Sequence, residues 1–420
     1  MNKEKIAIVG TGIAGMGAAH ILQNKYDIKI FEKNNYVGGH TNTVYVDEND
    51  KKIPIDTGFI VFNKVTYPNL LNLFNQLDVP YTETNMTFSV QHKPTNLEYN
   101  GSGLNGIFSQ RRNLFNLRFI KMILQINRFN GESVRDMLSG NYDNHSINNY
   151  LQEKKYSQDF TLKYLVPMSS AVWSSEIDLT LQFPFVTLVR FFQNHGLLGL
   201  NSQHQWFTVV GGSETYKQKL IKPFRDRINI NCGVKSIMRQ NGKAELTTID
   251  GNVEIFDKVV IAAHADEALA IIADPTNMEN ELLGAFKYQK NIASLHTDTS
   301  VMPKSRKVWS AWNYSISENN GNIAASTIYY MNTLQNISDD NDYFVSINHQ
   351  GTIDEKTILR EFTYHHPLFT VESLKAQKQL DRINESGPIY FCGSYFKYGF
   401  HEDALTSGLN IAHKLIASNE

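Results

Sequence analysis

Cysteine is nearly missing: Cys232 and Cys392 are the only two in 420 residues. They lie far apart, so a disulfide scaffold, a CxxC redox pair and a thiolate zinc site all lack material. A reducing, cytoplasmic setting is the expectation. An excess of one charge is missing too. Forty basic residues against forty-two acidic ones leave a formal net charge of −2. That lacks the basic surplus of a nucleic-acid binder. Apolar runs are too short for a spanning helix. Met1 to Lys5 leads straight into Ile6-Ala7-Ile8-Val9-Gly10, so no signal-peptide core is expected. Neither GxSxG nor HExxH occurs, which removes the common hydrolase signatures. What remains is an ordinary globular composition, 41% hydrophobic and 20% charged, with length for two or three domain-sized units.

The glycines carry information by position. Gly10-Thr11-Gly12-Ile13-Ala14-Gly15 follows a short β-branched run, Lys5 to Val9, and leads into helix-forming residues from Met16 to Leu22. Glu32 ends the next strand-like run, Ile28 to Glu32. This is a dinucleotide-binding context. Gly10 makes the tight turn, Gly12 admits a pyrophosphate against the backbone, and Gly15 lets helix and strand pack. The helix start, with Ile13 and Ala14, offers free N–H groups and a positive dipole end to the diphosphate. Glu32, followed by Lys33, suits an unphosphorylated ribose, as found in both NAD and FAD. A second match, Gly101 to Gly106, follows no buried strand in this reading and is expected to be a flexible loop.

Val37-Gly38-Gly39-His40-Thr41 then brings a second glycine pair, and Asp56-Thr57-Gly58-Phe59 follows a strand. The order GxGxxG, acidic strand end, Gly-Gly-His and Asp-x-Gly resembles the amine oxidase and phytoene desaturase superfamily of FAD-dependent oxidoreductases. His40 stands where amine oxidases often have Arg. Gly399 to Gly408 is similar to the superfamily's closing motif, which sets a helix N-terminus at the flavin pyrimidine ring. Asp403 replaces a Gly there and is expected to cap the helix rather than face the flavin. Cys392-Gly393-Ser394 takes the place of a Gly-Asp pair. Val209 to Ser213, Gly233 to Ile237 and Val259 to His264 resemble further pieces. The resemblance therefore implies FAD held by Gly10, Gly12, Ile13, Ala14, Gly15, Glu32, Lys33, Gly38, Gly39, His40, Thr41, Thr57, Gly58, Phe59, Val234, Gly393, Ser394, Glu402, Asp403 and Ala404.

A narrower resemblance spans nearly the whole chain. Gly38 to Thr43, Asp56 to Asn63, Leu295 to Asp298, Trp309 to Tyr314 and Tyr398 to Asp403 are similar to a bacterial subfamily of FAD-binding oxidoreductases. Its members are associated with cyclopropane-type fatty-acid modification. That implies a lipid acyl substrate.

The expected fold is α/β: a discontinuous Rossmann-like FAD domain with an inserted α+β substrate domain. The FAD domain takes residues 1–60, 205–285 and 385–420; the substrate domain takes 61–204 and 286–384. Residues 66–200 read as mostly helical. Candidate catalytic groups are Lys290, His296 (with Asp298), His401 and Glu402, each with a purely structural alternative. His365-His366 reads as a loop pair with no metal-ligand partners. Phe183, Phe185, Phe191, Phe192, Trp206, Tyr329 and Tyr330 supply an apolar lining if they face inward, and core if they do not. This favours a fatty-acyl substrate, desaturated or with its double bond rearranged. A small primary or secondary amine is the alternative substrate, and a non-enzymatic flavin- or lipid-binding partner the alternative role. Arg111 to Phe129 reads as one basic, apolar helix. It is either buried on most of its circumference or laid on an anionic membrane at the inner face.

Overall fold

The computed structural model describes residues 3–199, 204–319, 322–349, 351–385 and 387–418. Residues 200–203, 320, 321 and 350, which fall in the expected substrate domain, lie outside the described residues, as do 386, 419 and 420 at the FAD side.

A five-stranded parallel sheet forms the centre of the nucleotide side. Its strands run in the order Ile228–Asn229, Asp27–Phe31, Lys5–Val9, Lys258–Ile261, Ile389–Phe391. Alternation along these strands divides the core. Ile6 and Ile8 face one cluster with Met16, Leu22 and Leu405; Ala7 and Val9 face the other with Val259, Ile261 and Phe286. Both faces are covered, which is why the strands read as near-continuous apolar runs. The helix Ile13–Leu22 starts three residues earlier than its apolar pattern announces, immediately after Gly12. Against it lies the last helix, His401–Ala417. A Cβ on Gly408 would sit 2.2 Å from the Ala14 carbonyl oxygen, so the two helices meet backbone to backbone.

A second, seven-stranded sheet takes strands in the order Ile358–Leu368, Lys287–His296, Phe344–Ile347, Asn322–Tyr330, Trp312–Asn319, Phe88–His92, Leu97–Asn100. Three of the segments expected to be helical or loop are thereby strands. Phe88–His92 and Leu97–Asn100 pair with the sheet, and Tyr81–Thr84 pairs with Trp206–Val209. Phe88–His92 and Leu97–Asn100 are largely buried on both faces, which erases the alternation that marks a strand in sequence; Tyr81–Thr84, in a separate three-stranded sheet, is exposed over its middle. The second glycine motif is not a loop. Leu97–Asn100 is fully buried and a five-residue helix, Gly103–Ile107, follows it. His365 and His366 likewise sit inside the strand Ile358–Leu368, paired with Lys290 and Gln289.

The helix expected over Arg111–Phe129 is two elements. A 3₁₀ turn, Arg111–Phe115, is followed by an α-helix, Leu117–Leu138. Asn116 breaks them and caps the second, its side chain accepting from the Arg118 and Phe119 N–H groups. Phe119, Met122, Gln125 and Phe129 turn inward, so this helix is buried on one face rather than on most of its circumference.

Candidate active site

The carboxyl ends of the parallel strands converge. Gly10 follows the first strand, Glu32 the second, Ala262 to His264 the fourth and Gly393 the fifth. Ligands of open parallel sheets bind outside these ends. Here the residues change from buried to half-exposed: Gly10, Gly12, Gly39, His40, Ala262, Ala263, His264, His366, Ser394 and His401 all keep some solvent contact. Gly39 lies against Gly12, Gly393 against Ala263 and His40 against His366, so they gather at one end of the sheet, and we infer that they line one groove.

Gly10 has φ of +100°, and a Cβ there would press to 2.6 Å on the Ala262 carbonyl oxygen. A Cβ on Gly15 would lie 2.1 Å from the Gly10 carbonyl oxygen, so helix and turn pack as the motif requires. At Gly12 a Cβ would meet nothing within 4 Å, because that side opens on the groove. The first helical bond of the turn runs from Met16 N–H to Gly12 C=O. The earlier N–H groups, of Ile13, Ala14 and Gly15, therefore point at the groove unspent.

Glu32 is buried beside this turn. Its carboxylate accepts from Thr11 N–H (3.0 Å), Thr11 Oγ1 and Asn34 N–H (2.9 Å). A carboxylate has about four acceptor sites, so room for a ribose hydroxyl remains. Lys33 turns away and pairs with Glu267 at 2.5 Å. Val234 begins the strand next to Gly233, whose Cβ would touch Lys33 Cβ at 3.3 Å, at the same end of the groove. The second glycine pair folds back on the first. Gly38 N–H donates to Thr11 Oγ1 at 3.2 Å, and a Cβ on Gly39 would lie 3.5 Å from Gly12 Cα.

His40 stacks on Tyr364 (centroids 4.7 Å) and lies 5.4 Å from His366. Its Nε2 is buried and unpartnered among the described residues. Burial first, then the neighbouring His366, hold its imidazole well below the usual range. His366 is pushed down to about 4 and His401 to about 3, in both cases mainly by burial. At neutral pH these rings are hydrogen-bonding groups, not cations. Thr57 Oγ1 meets the Tyr364 hydroxyl at 2.9 Å, and Gly58 packs on the His40 carbonyl. Phe59 stacks on His401 at 3.9 Å. A hydroxyl chain closes this end: Thr41 Oγ1 to Tyr216 OH at 2.5 Å, then to His401 Nε2 at 2.6 Å.

At the start of the last helix, Asp403 accepts from Phe400 N–H (3.0 Å) and Tyr398 N–H (3.1 Å), so its carboxylate caps backbone as expected. It stands at the third helical position rather than at the N-cap, which is Phe400. Glu402 accepts from the Asn69 and Leu70 N–H groups, 2.9 Å each. It caps the helix Pro68–Gln76 instead of reaching a proton path. Ala404 is buried behind it. Gly393 N–H donates to Ser407 Oγ at 2.8 Å, and Ser394 opens a 3₁₀ turn at the groove.

Two catalytic candidates fall outside this constellation. Lys290 is exposed on its strand. His296 is fully buried, its Nε2 against Ser346 Oγ (2.8 Å) and its Nδ1 accepting from Asp298 N–H (3.1 Å). Asp298 accepts from the Ser300 and Asp354 N–H groups. Asn291, which contacts His366, is five residues back along the same strand, about 17 Å away at strand rise. The residues the sequence reading passed over are Tyr216, Asn291, Tyr364 and His366. Asn291, Tyr364 and His366 arrive from strands far from any motif; Tyr216 sits in the helix that follows Val209 to Ser213, but its contacts with Thr41 and His401 are tertiary. His264 was visible as the end of a motif strand, but not its stack on Tyr288.

The aromatic segments divide. Phe183 and Phe191 join Trp173 and Phe400 beside the last helix's start, with Phe191 stacked on Phe400 at 4.7 Å and His195 at 3.8 Å. Trp206 extends this group through His195. Phe185 stacks on Tyr150 within the same apolar cluster, and Tyr330 on Phe344 in a separate one. Phe192 is fully buried, and Tyr329 packs on Trp312.

A parallel sheet, a glycine turn opening a helix, a ribose-side glutamate, an open Gly12 face and an orphaned His40 nitrogen fit a bound dinucleotide, and define a dinucleotide-binding protein. The model of the flavin-containing amine oxidoreductase family matches residues 13–302. The chain belongs to that family, and it is an FAD-dependent oxidoreductase. Its fold is similar to that of putrescine oxidase (TM-score 0.70, 13% identity, 99% of both chains covered). It is also similar to a CLA-producing fatty acid isomerase from P. acnes (0.66, 13%, 98% of both) and to cyclohexylamine oxidase from Brevibacterium oxydans (0.67, 14%, 99% of both). A 71-residue stretch is 38% identical to uncharacterized protein R656 of Acanthamoeba polyphaga mimivirus, 16% of this chain and 14% of that protein.

Proposed function

We propose that this FAD-dependent oxidoreductase acts on a fatty-acyl or related lipid chain, desaturating it or moving its double bond. Residues 61–204 and 286–384 would present that substrate. FAD supplies the two-electron chemistry when bound, through the residues lining the groove from Gly10 to His401. The carrying observation is the state of the carboxylates at the head of the last helix. Glu402 spends both oxygens on backbone N–H groups, and Asp403 spends its Oδ2 on two more. An ammonium substrate wants an available carboxylate; here both carboxylates are buried and tied to backbone, among aromatic rings and neutral imidazoles. Trp173, Phe183, Phe191 and Phe400 support an apolar occupant, since such rings exclude water and contribute contact area. His401, held neutral and fixed by Tyr216, orients rather than attracts charge. Both chemistries are named among similar folds, an isomerase of fatty acids and oxidases of amines.

Anaerobic mixing of the FAD-loaded protein with acyl and amine panels tests this. Bleaching of the flavin band by unsaturated or saturated acyl chains, or a shifted double bond in the recovered lipid, is expected. Bleaching by amines alone would replace this reading with amine oxidation. A flavin untouched by either panel would point to a binding partner rather than an enzyme.

A further inference from the structure

Away from the groove, the surface around the 3₁₀ turn Arg111–Phe115 and the start of the helix Leu117–Leu138 combines two features that rarely coexist on a free surface. Large apolar side chains stand in solvent: Phe115 is 88% exposed and Leu117 84%, with Leu104, Leu114 and Leu124 also exposed. Basic side chains are interleaved with them. Arg111, Arg112, Arg118 and Lys121 are all exposed. From residue 99 to residue 131 the chain contains no Asp or Glu at all.

The geometry gathers these groups. Arg111 bonds the Asn105 side chain at 3.1 Å, which ties Leu104 and its short helix to the turn. Along the helix, Leu117, Lys121, Leu124 and Arg128 follow the i, i+4, i+7, i+11 spacing of one face, opposite the inward Phe119, Met122 and Phe129. Beside the turn lies a cleft of about 350 Å³, lined by Arg112, Phe115, Asn116, Arg118, Asp159 and Lys163 among others. Asp159 is already neutralised by Lys163. Among the described residues neither arginine has an acidic partner, Arg112 donating only to the Asn96 carbonyl, so the cleft presents their positive charge.

We infer that this face docks the protein on an anionic lipid bilayer, with Phe115, Leu117 and Leu124 entering the interface and Arg112 and Arg118 meeting lipid phosphates. Charge complementarity selects the occupant. An apolar ring and two leucines suit the acyl boundary, and interleaved cations suit anionic headgroups. A second copy of the chain would set these cations against themselves. The inference stands on surface chemistry and does not depend on the acyl-substrate reading.

Co-sedimentation of the FAD-loaded protein with phosphatidylcholine vesicles, with and without about one-third phosphatidylglycerol, tests it. The protein should sediment with the anionic vesicles, bind the neutral ones far less, and dissociate as salt rises. Arg112→Gln with Arg118→Gln should weaken anionic binding about thirtyfold, the loss expected for two cations at such a surface. Phe115→Ser with Leu117→Ser should reduce it comparably, with the flavin absorbance unchanged because both sites are exposed. No sedimentation, equal binding to both vesicles, or unaltered binding by both variants overturns the inference. So does a concentration-dependent dimer that the serine variant abolishes, which would assign the face to a second copy.

Discussion

His401 lies flat on Phe59, ring centroids 3.9 Å apart and planes 11° from parallel. This contact joins the start of the last helix to the Asp56-Thr57-Gly58-Phe59 segment, and Tyr216 locks it from the side through its hydroxyl at 2.6 Å. Tyr216 is the middle of the chain that begins at Thr41. Tyr216→Phe therefore unpairs both ends and should cost about 2 kcal/mol. His401→Phe keeps the flat contact and leaves the tyrosine bonded to Thr41, so about 1 kcal/mol is expected. Denaturant unfolding of the two variants checks the order. Equal costs would mean that the hydroxyl chain does not couple the three residues.

Glu32 should decide cofactor retention. Glu32→Gln keeps the shape and some backbone contacts but loses the charge-assisted acceptor for a ribose hydroxyl. FAD affinity should fall about tenfold to a hundredfold. Fluorescence titration of flavin-free protein measures this. Unchanged affinity would remove Glu32 from the ribose contact.

Gly408→Ala should destabilise the nucleotide side. The new methyl would sit 2.2 Å from the Ala14 carbonyl oxygen, a backbone atom that cannot step aside without parting the two helices. A cost of about 2 kcal/mol or more is expected, with weakened flavin retention because the same helices frame the groove. A variant with parental melting temperature and flavin content would show that the helices can separate freely.

Gly10, Gly12, Gly15 and Glu32 were readable because a phosphate turn needs particular backbone space at fixed spacing. The closing helix was readable for the same reason. The other wall of the groove was not. Tyr364 and His366 come from the strand Ile358–Leu368, and nothing local distinguishes them from any other strand residues. His365-His366 reads as a loop in sequence because its pairing partners, Lys290 and Gln289, lie some seventy-five residues earlier, so no local turn or hairpin marks the strand. The basic segment reads as one helix because Asn116 is neutral in a propensity sum. Its capping role appears only when its side chain folds onto Arg118 and Phe119.

Glu402 separates two roles that a motif cannot. Its oxygens accept the first free N–H groups of the helix Pro68–Gln76, so Glu402→Ala should cost about 1–2 kcal/mol through the lost cap. The rate of flavin reduction and its pH profile should stay near parental, since the carboxylate is committed to the backbone. A large rate loss at parental stability would instead make Glu402 part of the chemistry.

His296 allows a pH test free of the groove. Burial lowers its ring from 6.5 to about 4, so the unfolded state binds a proton that the native state refuses between those values. Stability therefore falls as pH drops through that window, by about 1.4 kcal/mol per pH unit for this one group. Other groups titrate there too. Burial raises Asp56 and Asp403 to about 6, which acts in the opposite sense by favouring the native state on acidification. Total stability against pH therefore mixes the contributions. His296→Asn isolates one: it keeps a neutral polar group against Ser346 but cannot take up the proton. At pH 7 the variant should be less stable, from poorer packing against Phe344. Its deficit should shrink on acidification, by about 1.4 kcal/mol for each unit between pH 6 and 5. Urea unfolding of both proteins at several pH values measures the difference directly. A deficit constant with pH would mean that His296 titrates normally and that its burial in the native state is not as tight as its contacts with Ser346, Asp298 and Phe344 require.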